Sequence, residues 1–90
     1  MFYVYILKCI GNDHKISLYT GYTNDLRRRF SEHSSGRGAR FTRGKMLELV
    51  FYQMFTTQRA AMQREIEIKR FSRQKKWALI ENHAINQRLA

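Results

Sequence analysis

Residues 19 to 33 read YTGYTNDLRRRFSEH, and this stretch contains the change from strand to helix that decides the fold. It begins with aromatic and β-branched residues, which are typical of a strand. Thr23 or Asn24 then offers a side chain that can cap a helix, and the helix is predicted from Asp25 to about Ser34. In the first turn of that helix, the carboxylate of Asp25 would complement the helix dipole.

The neighbouring segments predict two more strands. Phe2 to Ile10 is apolar in both of its alternating sets, which indicates a central strand covered on both faces. Gly11-Asn12-Asp13 marks a turn, so Ser17 to Tyr22 is expected to form a hairpin with the first strand. A third strand is predicted over Glu48 to Phe55.

The remaining segments are predicted to be irregular or helical. Ser35 to Lys45, SGRGARFTRGK, is glycine-rich and basic, which indicates a loop or a short irregular helix. Helices are predicted over Gln58 to Phe71, after a cap at Thr56 or Thr57, and from Arg73 to Ile80 or beyond. The order β-β-α-β-α-α predicts an α/β (α+β) fold, in which helices flank a three-stranded, mostly antiparallel sheet.

Composition bounds the size of the fold and the nature of its partner. With 43% hydrophobic residues in 90, the chain can build one core, and the domain is predicted over residues 1–82 with a C-terminal tail over residues 83–90. Lys and Arg number 17 against 7 Asp and Glu, a formal charge of +10. Such a charge favours nucleic acid as partner, although a basic surface can also serve only to keep a protein in solution. DNA is expected ahead of RNA.

Cysteine usage and hydropathy bear on location. Cys9 is the single cysteine and lies in an apolar run, so a buried thiol and a reducing, cytoplasmic setting are expected. The apolar N-terminus lacks the basic region and cleavage site of a signal peptide. No run approaches the roughly 18 apolar residues of a membrane span, so no membrane partner is expected. Cys9 and the histidines show no zinc-ligand spacing.

The first predicted helix places polar side chains on its packed face. At about 100° per residue, Leu26 and Phe30 define the buried stripe. His33 falls between them and Arg29 lies beside it, whereas Arg28 points the opposite way. A charged group on an apolar face is costly unless it is paired or used. Arg29 is therefore either an arginine that extends to solvent at the rim or a functional group.

The second predicted helix has a carboxylate on its apolar face, which is outlined by Ala61, Met62, Ile66 and Ile68. Glu65 falls inside this arc with Lys69 nearby, and Glu67 points away. A lone carboxylate in an apolar stripe is a candidate metal ligand or acid/base group. The alternative is an ion pair between Glu65 and Lys69, one helical turn apart.

Two strand tyrosines could face these helices. Tyr5 is in the middle of the first strand, and Tyr19 lies just before Gly21 in the second. A glycine inside a strand often marks the close approach of another group to the backbone. Tyrosines in strands are usually core residues, and the alternative is that both face Arg29, His33 and a glutamate in one polar cluster.

Together these stretches resemble the GIY-YIG nuclease superfamily. YVY at residues 3–5 and YTG at residues 19–21 resemble its two naming motifs and keep the tyrosine of each. YTGYTNDLRRRFSEH is similar to the family's core stretch, whose catalytic arginine falls on Arg29 and whose histidine falls on His33. AMQREIEIKR resembles the helix with the metal-binding glutamate, which falls on Glu65.

The resemblance covers residues 2–81, and the basic loop and the closing KRFSRQKKWALIE are similar to the small stand-alone bacterial members, of the UPF0213 kind. It implies phosphodiester hydrolysis with one divalent cation, Mg²⁺ or Mn²⁺, held by Glu65. Arg29 would clamp the scissile phosphate. Tyr19 would orient or deprotonate the attacking water, assisted by Tyr5 and His33, provided that the metal and Arg29 lower the tyrosine pKa.

The loop cations are expected to hold flanking phosphates and, together with Arg29, to border one concave basic face: Arg37, Arg40, Arg43 and Lys45. Lys69 is a further candidate for contact with nucleic acid. Two other functions stay open, namely a nucleic-acid-binding module that does not cut and an interaction domain with a vestigial site. Larger family members also use an asparagine after the metal-binding helix, for which Asn82 and Asn86 are the candidates.

Overall fold

The chain folds as an α+β domain in which a three-stranded antiparallel sheet carries helices on both faces. The computed structural model describes the backbone of residues 1–89 and the side chains of residues 1–84. Its elements are β1 (Phe2–Ile10), β2 (Ile16–Thr23), α1 (Leu26–Ser34), β3 (Met46–Phe55), α2 (Gln58–Lys69) and α3 (Arg73–Leu89), with a single 3-10 turn at Arg40–Thr42. The predicted element order is confirmed, and both strand pairings are antiparallel.

Strand β1 is the centre of the sheet, whose strand order is β2-β1-β3. On one face, Val4 and Ile6 are fully buried against Ala61 and Ile68 of α2 and Ile80 of α3. The continuous apolar pattern of β1 therefore predicted its place correctly, because only a central strand has helices to cover both of its faces.

The other face of β1 packs against α1. Tyr5, Leu7 and Cys9 form its buried cluster, on which Leu26 and Phe30 lie. The prediction of a buried thiol at Cys9 is confirmed, and burial raises the pKa of that thiol. Since this cluster includes Tyr5, the polar side chains of α1 come to lie next to a strand tyrosine.

The register of β1 and β2 brings the two tyrosines together. Tyr5 pairs with Gly21, and Leu7 pairs with Tyr19. Cross-strand partners share a face of the sheet, so Tyr5 and Tyr19 are diagonal neighbours on the face that α1 covers.

The beginning of α1 differs from the prediction. Asp25 is itself the cap, because its carboxylate accepts a hydrogen bond from the backbone N–H of Arg28 at 3.0 Å. The hydroxyl of Thr23 accepts from the N–H of Asp25 at 3.1 Å. The assignment of the cap to Thr23 or Asn24, with Asp25 in the first turn, was wrong, because the helix begins at Leu26 and the carboxylate of Asp25 lies where its first free N–H groups point.

The buried face of α2 also differs. Ala61 and Ile68 are buried, whereas Met62 is 40% and Ile66 is 47% exposed. The prediction that Met62 and Ile66 line the apolar face was wrong. Apolar residues lie on more than one side of this helix, and contact with the sheet selects the side with small Ala61, where the backbone can approach closely. Glu65 is partly buried on the selected side.

Helices α2 and α3 meet at a short break. Thr57 caps α2 as predicted, by accepting from the N–H of Ala60 at 3.2 Å, and the helix ends at Lys69 instead of the predicted Phe71. Ser72 accepts from the N–H of Lys75 at 3.1 Å and so starts α3. Because α3 continues beyond residue 83, the boundary between domain and tail stays a prediction. Within the described residues, no helix has the length and apolar character needed to cross a bilayer.

Candidate active site

A buried tyrosine–histidine pair lies between β1 and α1. The side chain of Tyr5 is 2% exposed, and its hydroxyl lies 2.9 Å from Nε2 of His33, which is 1% exposed. Gly21 leaves the space for this hydroxyl, since a Cβ at that position would lie 2.5 Å from the hydroxyl oxygen. Gly21 was predicted to mark the close approach of another group to the strand backbone, and that group is the phenol of Tyr5.

The second nitrogen of His33 determines the direction of this hydrogen bond. Nδ1 lies 2.9 Å from Oγ1 of Thr42, and the Thr42 hydroxyl donates to the carbonyl of Ala39 at 2.8 Å. Since that bond uses the only proton of Thr42, Nδ1–H donates to Thr42, and Nε2 accepts from the phenol of Tyr5. The N–H of Ala39 is 3.4 Å from Nδ1 and would require the opposite tautomer, so we assign the shorter bond.

Thr42 and Gly38 were missed by sequence reasoning. Both lie in the basic loop, which has no periodicity from which contacts can be inferred. A Cβ at Gly38 would lie 2.8 Å from Cγ of His33, so the loop backbone packs directly on the imidazole. Besides carrying cations, the loop therefore covers the imidazole of His33.

Both members of the pair are neutral at pH 7. Burial, followed by the nearby Arg29 guanidinium, lowers the pKa of His33 below 6.5, although Glu32 opposes this shift. Burial raises the pKa of Tyr5 to about 12, and this effect exceeds the lowering by Arg29. Tyr5 is therefore a hydrogen-bond donor at neutral pH and not a base, although Arg29 acts on its pKa in the lowering direction.

Arg29 lies at the open side of this pair. Its guanidinium Nη1 is 3.2 Å from Oε1 of Glu32, and it is close enough to the phenol of Tyr5 for the two groups to perturb each other's pKa. Arg28 is exposed and donates to Oδ1 of Asn24 at 2.9 Å. The prediction that Arg29 is on the packed side of α1 and Arg28 in solvent is confirmed.

Tyr19 is the partly exposed member of the aromatic cluster. Its ring centroid lies 6.4 Å from that of Tyr5 and 5.2 Å from that of His33. On another side it stacks with Phe41 of the basic loop, with centroids 6.0 Å apart and an interplanar angle of 26°. Tyr5, Tyr19, Arg29 and His33 are thus together, as the cluster hypothesis predicted, while Tyr5 also contributes to the core.

Glu65 approaches this cluster from α2. Its side chain is 16% exposed, and Oε1 lies 3.6 Å from Nζ of Lys69, so the expected ion pair is present. After burial and the charge of Tyr19, the charge of Glu65 also raises the pKa of Tyr5. Glu67 is 57% exposed and pairs with Arg64, away from the cluster.

At Glu65 the protein supplies only part of the ligand set that a hydrated hard cation needs. Among the described residues, no group of three His, Cys, Asp or Glu side chains could enclose a metal ion. Mg²⁺ commonly takes one or two carboxylates and completes its shell with water and substrate phosphates. Glu65 could hold such an ion. A divalent cation bound there would replace the positively charged ammonium group of Lys69 as the partner of the carboxylate. Asn82 is exposed, and the side chain of Asn86 lies outside the described residues.

The cations predicted to contact nucleic acid border several different hollows. Arg37, Arg40 and Arg43 are exposed, and Nζ of Lys45 lies 3.7 Å from the centroid of the Phe41 ring. Arg43 and Lys45 border a hollow at the β1–β2 turn, Arg29 borders another beside β2 and α2, and Lys69 a third beside Tyr19. The predicted role of these cations in holding phosphates stays a prediction.

The chain belongs to the GIY-YIG family, since residues 1–87 match the profile of the GIY-YIG catalytic domain. This is a nuclease-type family, so the resemblance inferred from the motifs is confirmed. The chain is similar to the UPF0213 protein of Haloquadratum walsbyi, 48% identical over 87 residues that cover 94% of this chain and 93% of that protein. The UPF0213 protein of Staphylococcus haemolyticus is 48% identical over 80 residues, 88% of this chain and 93% of that protein. The solution NMR structure of a UPF0213 protein from Bacillus halodurans is 40% identical, covers 88% of this chain and 83% of that one, and has a TM-score of 0.49.

Proposed function

We propose that this chain is a metal-dependent endonuclease-type domain that hydrolyses phosphodiester bonds in DNA, or in RNA. The observation that carries the proposal is the buried Tyr5–His33 hydrogen bond, beside which Tyr19 and Arg29 converge. A polar network in the core of so small a domain is costly to bury, and apolar side chains would fill the same volume at lower cost. Its retention is explained if the network holds a reacting group in place.

Each side chain has a role that follows from its exposure. Arg29 is partly exposed and has guanidinium donors beyond the one on Glu32, so it would bind the scissile phosphate through its fork. Tyr19 is the partly exposed tyrosine and would orient the attacking water. His33 is too buried to touch substrate, so it is a positioning residue that accepts the phenol proton of Tyr5 and aims the phenol oxygen.

Glu65 is the residue that would hold Mg²⁺ or Mn²⁺. Bound there, the cation would supply electrostatic stabilisation of the leaving oxygen and of the charge on the transferring phosphoryl group. Separation of Glu65 from Lys69 would at the same time leave the Lys69 ammonium free to contact a phosphate.

One observation favours a second function, a module that binds nucleic acid without cutting it. The Glu65 carboxylate already has Lys69 as partner at 3.6 Å, so its place on the packed face is explained without a metal. The charge of +10 would serve binding equally well in either case.

Glu65→Gln separates these two functions. If Glu65 holds the metal, the substitution lowers the cleavage rate roughly a thousandfold or more, because several kcal/mol of transition-state stabilisation are lost. Nucleic-acid affinity is expected to persist, and Mg²⁺ or Mn²⁺ binding to weaken. The measurement is cleavage of labelled duplex, branched and single-stranded DNA and RNA with each metal, alongside binding of the same substrates.

Glu67→Gln is the matched control, since it removes an equal charge two residues along α2, from a carboxylate that is 57% exposed. It is expected to change cleavage little. Cleavage that survives Glu65→Gln undiminished, or that proceeds in excess chelator, would contradict the metal assignment. Binding by the unmodified protein without cleavage of any substrate would make the binding module the correct function.

A further inference from the structure

A small hollow at the edge of the sheet shares a wall with the candidate active site. It has a volume of about 240 Å³ and adjoins β2, which is an edge strand. Its lining comes from β2, the basic loop, α2 and α3: Leu18, Tyr19, Thr20, Phe41, Lys69 and Lys76. We call it the β2-edge hollow. Since Tyr19 also belongs to the Tyr5–His33 cluster, a polymer bound at the cluster would pass close to this hollow.

Thr20, one of the residues that line the β2-edge hollow, has a buried hydroxyl without a partner. Thr20 is 5% exposed, and its Oγ1 makes no hydrogen bond within the described part of the chain. Native structures rarely leave a buried hydroxyl unsatisfied, because removal from water without a replacement bond costs free energy. Valine would fill the same space in a strand without that cost. A hydrogen-bond acceptor entering from the hollow would account for the threonine.

The charges around the hollow favour an anion as that acceptor. Lys69 and Lys76 contribute two ammonium groups, and none of the lining residues is acidic. Lys69 has Glu65 as an ion-pair partner, at 3.6 Å. For Lys76, no carboxylate lies within salt-bridge distance among the side chains of residues 1–84. Among the described residues, the charge of Lys69 is therefore neutralised by Glu65, whereas the charge of Lys76 is not.

Phe41 gives the hollow an aromatic wall. Its ring is 45% exposed, stacks with Tyr19 at 6.0 Å and has Nζ of Lys45 at 3.7 Å from its centroid. An exposed aromatic ring flanked by ammonium groups is a surface suited to the backbone and bases of nucleic acid. The aromatic wall, the cations and the hydroxyl thus favour the same ligand class.

We propose that the β2-edge hollow binds a backbone phosphate of the nucleic acid, one that flanks the phosphate held at Arg29. Lys69 and Lys76 supply the charge, and the hydroxyl of Thr20 donates a hydrogen bond to a phosphate oxygen. That the polymer is nucleic acid rests on the proposed function. The phosphate site itself is proposed whether or not the polymer is cut.

Two substitutions test it by binding alone. Affinities of labelled duplex and single-stranded oligonucleotides are measured in chelator over a range of salt. Lys76→Gln is expected to weaken binding about three- to tenfold, and to reduce the slope of log K against log salt by roughly 0.7–0.9, the value for one phosphate contact. Thr20→Val is expected to weaken binding severalfold with no change in that slope, because the lost group is uncharged.

The matched control is Lys75→Gln, which removes the same charge from the adjacent residue of α3, an exposed lysine outside the hollow. It is expected to leave both the affinity and the salt slope close to those of the unmodified protein. The unfolding midpoint is the second readout for Thr20→Val, and it should stay the same or rise when the unpartnered hydroxyl is removed.

The outcomes separate this proposal from the proposed function. If the protein binds and cuts while Lys76→Gln and Thr20→Val bind as it does, the β2-edge hollow is not a phosphate site and the nuclease function stands. If the two variants lose affinity as expected and nothing is cut, the phosphate site stands and the nuclease function is wrong. A lower unfolding midpoint in Thr20→Val would show that its hydroxyl serves the fold. Absence of binding to DNA and RNA would overturn both proposals.

Discussion

His33 shows how one side chain can serve both packing and chemistry. It lies on the apolar stripe of α1 between Leu26 and Phe30, yet each of its ring nitrogens has a polar partner, Tyr5 on one side and Thr42 on the other. The imidazole is held neutral, because burial and, after it, the charge of Arg29 disfavour the protonated form. Protonation would also remove the lone pair that accepts the phenol of Tyr5.

This neutral imidazole predicts a pH-dependent stability. The pKa of His33 is 6.5 in the unfolded chain and lower in the folded one. Above pH 6.5 neither state binds the proton, so His33 adds no pH dependence. As the pH falls below 6.5, the unfolded state is protonated first, and the free energy of unfolding decreases by at most about 1.4 kcal/mol per pH unit until the folded pKa is reached.

Urea denaturation at neutral pH and at about pH 5.5, above the main carboxylate titrations, measures this effect. His33→Gln provides the control. Its stability should be lower throughout, because the partners of the imidazole are disturbed, but its decrease between the two pH values should be smaller. Equal decreases in the two proteins would mean that the folded state accommodates a protonated His33.

At the scale of elements, the rotation of α2 about its axis decides which of its side chains can reach the site. The helix presents Ala61 and Ile68 to the sheet, and Glu65 lies on the same side, one turn after Ala61 and about one turn before Ile68. A rotation that buried Met62 and Ile66 instead would turn Glu65 away from its position near Tyr5. The packing of α2 is therefore a condition for the role proposed for Glu65.

Two isoleucines of α2 offer a matched test of this orientation. Ile68→Ala is expected to destabilise the fold by about 2–5 kcal/mol, since Ile68 is fully buried and its truncation leaves a cavity. Ile66→Ala is expected to cost less than about 1 kcal/mol, because Ile66 is 47% exposed. Chemical denaturation of both variants measures the difference. A larger loss in Ile66→Ala than in Ile68→Ala would show that α2 packs on its other side.

For the whole molecule, the dominant physical property is a charge of +10 on 90 residues. The cations are spread over hollows at the β1–β2 turn, beside Arg29 and at the β2 edge. This distribution fits the proposed nucleic-acid partner, because cations held at separate positions by the sheet would contact several phosphates of one polymer.

Salt dependence tests this property. The affinity for nucleic acid is expected to fall steeply as salt rises, with log K decreasing by roughly 0.7–0.9 per phosphate contact for each tenfold increase. Titrations of labelled DNA and RNA at several salt concentrations give the number of contacts from the slope. Affinity that does not depend on salt, or no affinity for either polymer, would contradict nucleic acid as the partner.

The sequence by itself determined the element order, the central position of β1 and the polar face of α1. These features follow from local patterns: apolar residues in both alternating sets predict a strand with two covered faces, and helical spacing places Arg29 and His33 next to Leu26 and Phe30. The match to the GIY-YIG family was also readable from motifs, because the residues that carry it lie in three short stretches.

Tertiary structure alone decided which side of α2 is buried, how His33 is hydrogen-bonded and where the β2-edge hollow lies. Met62 and Ile66 are as apolar as buried residues, so only the fit of Ala61 against the sheet could exclude them. Thr42 comes from a loop without periodicity, and Thr20 and Lys76 are far apart in the chain. Contacts of this kind depend on the packing of several elements at once, which no local pattern of residues encodes.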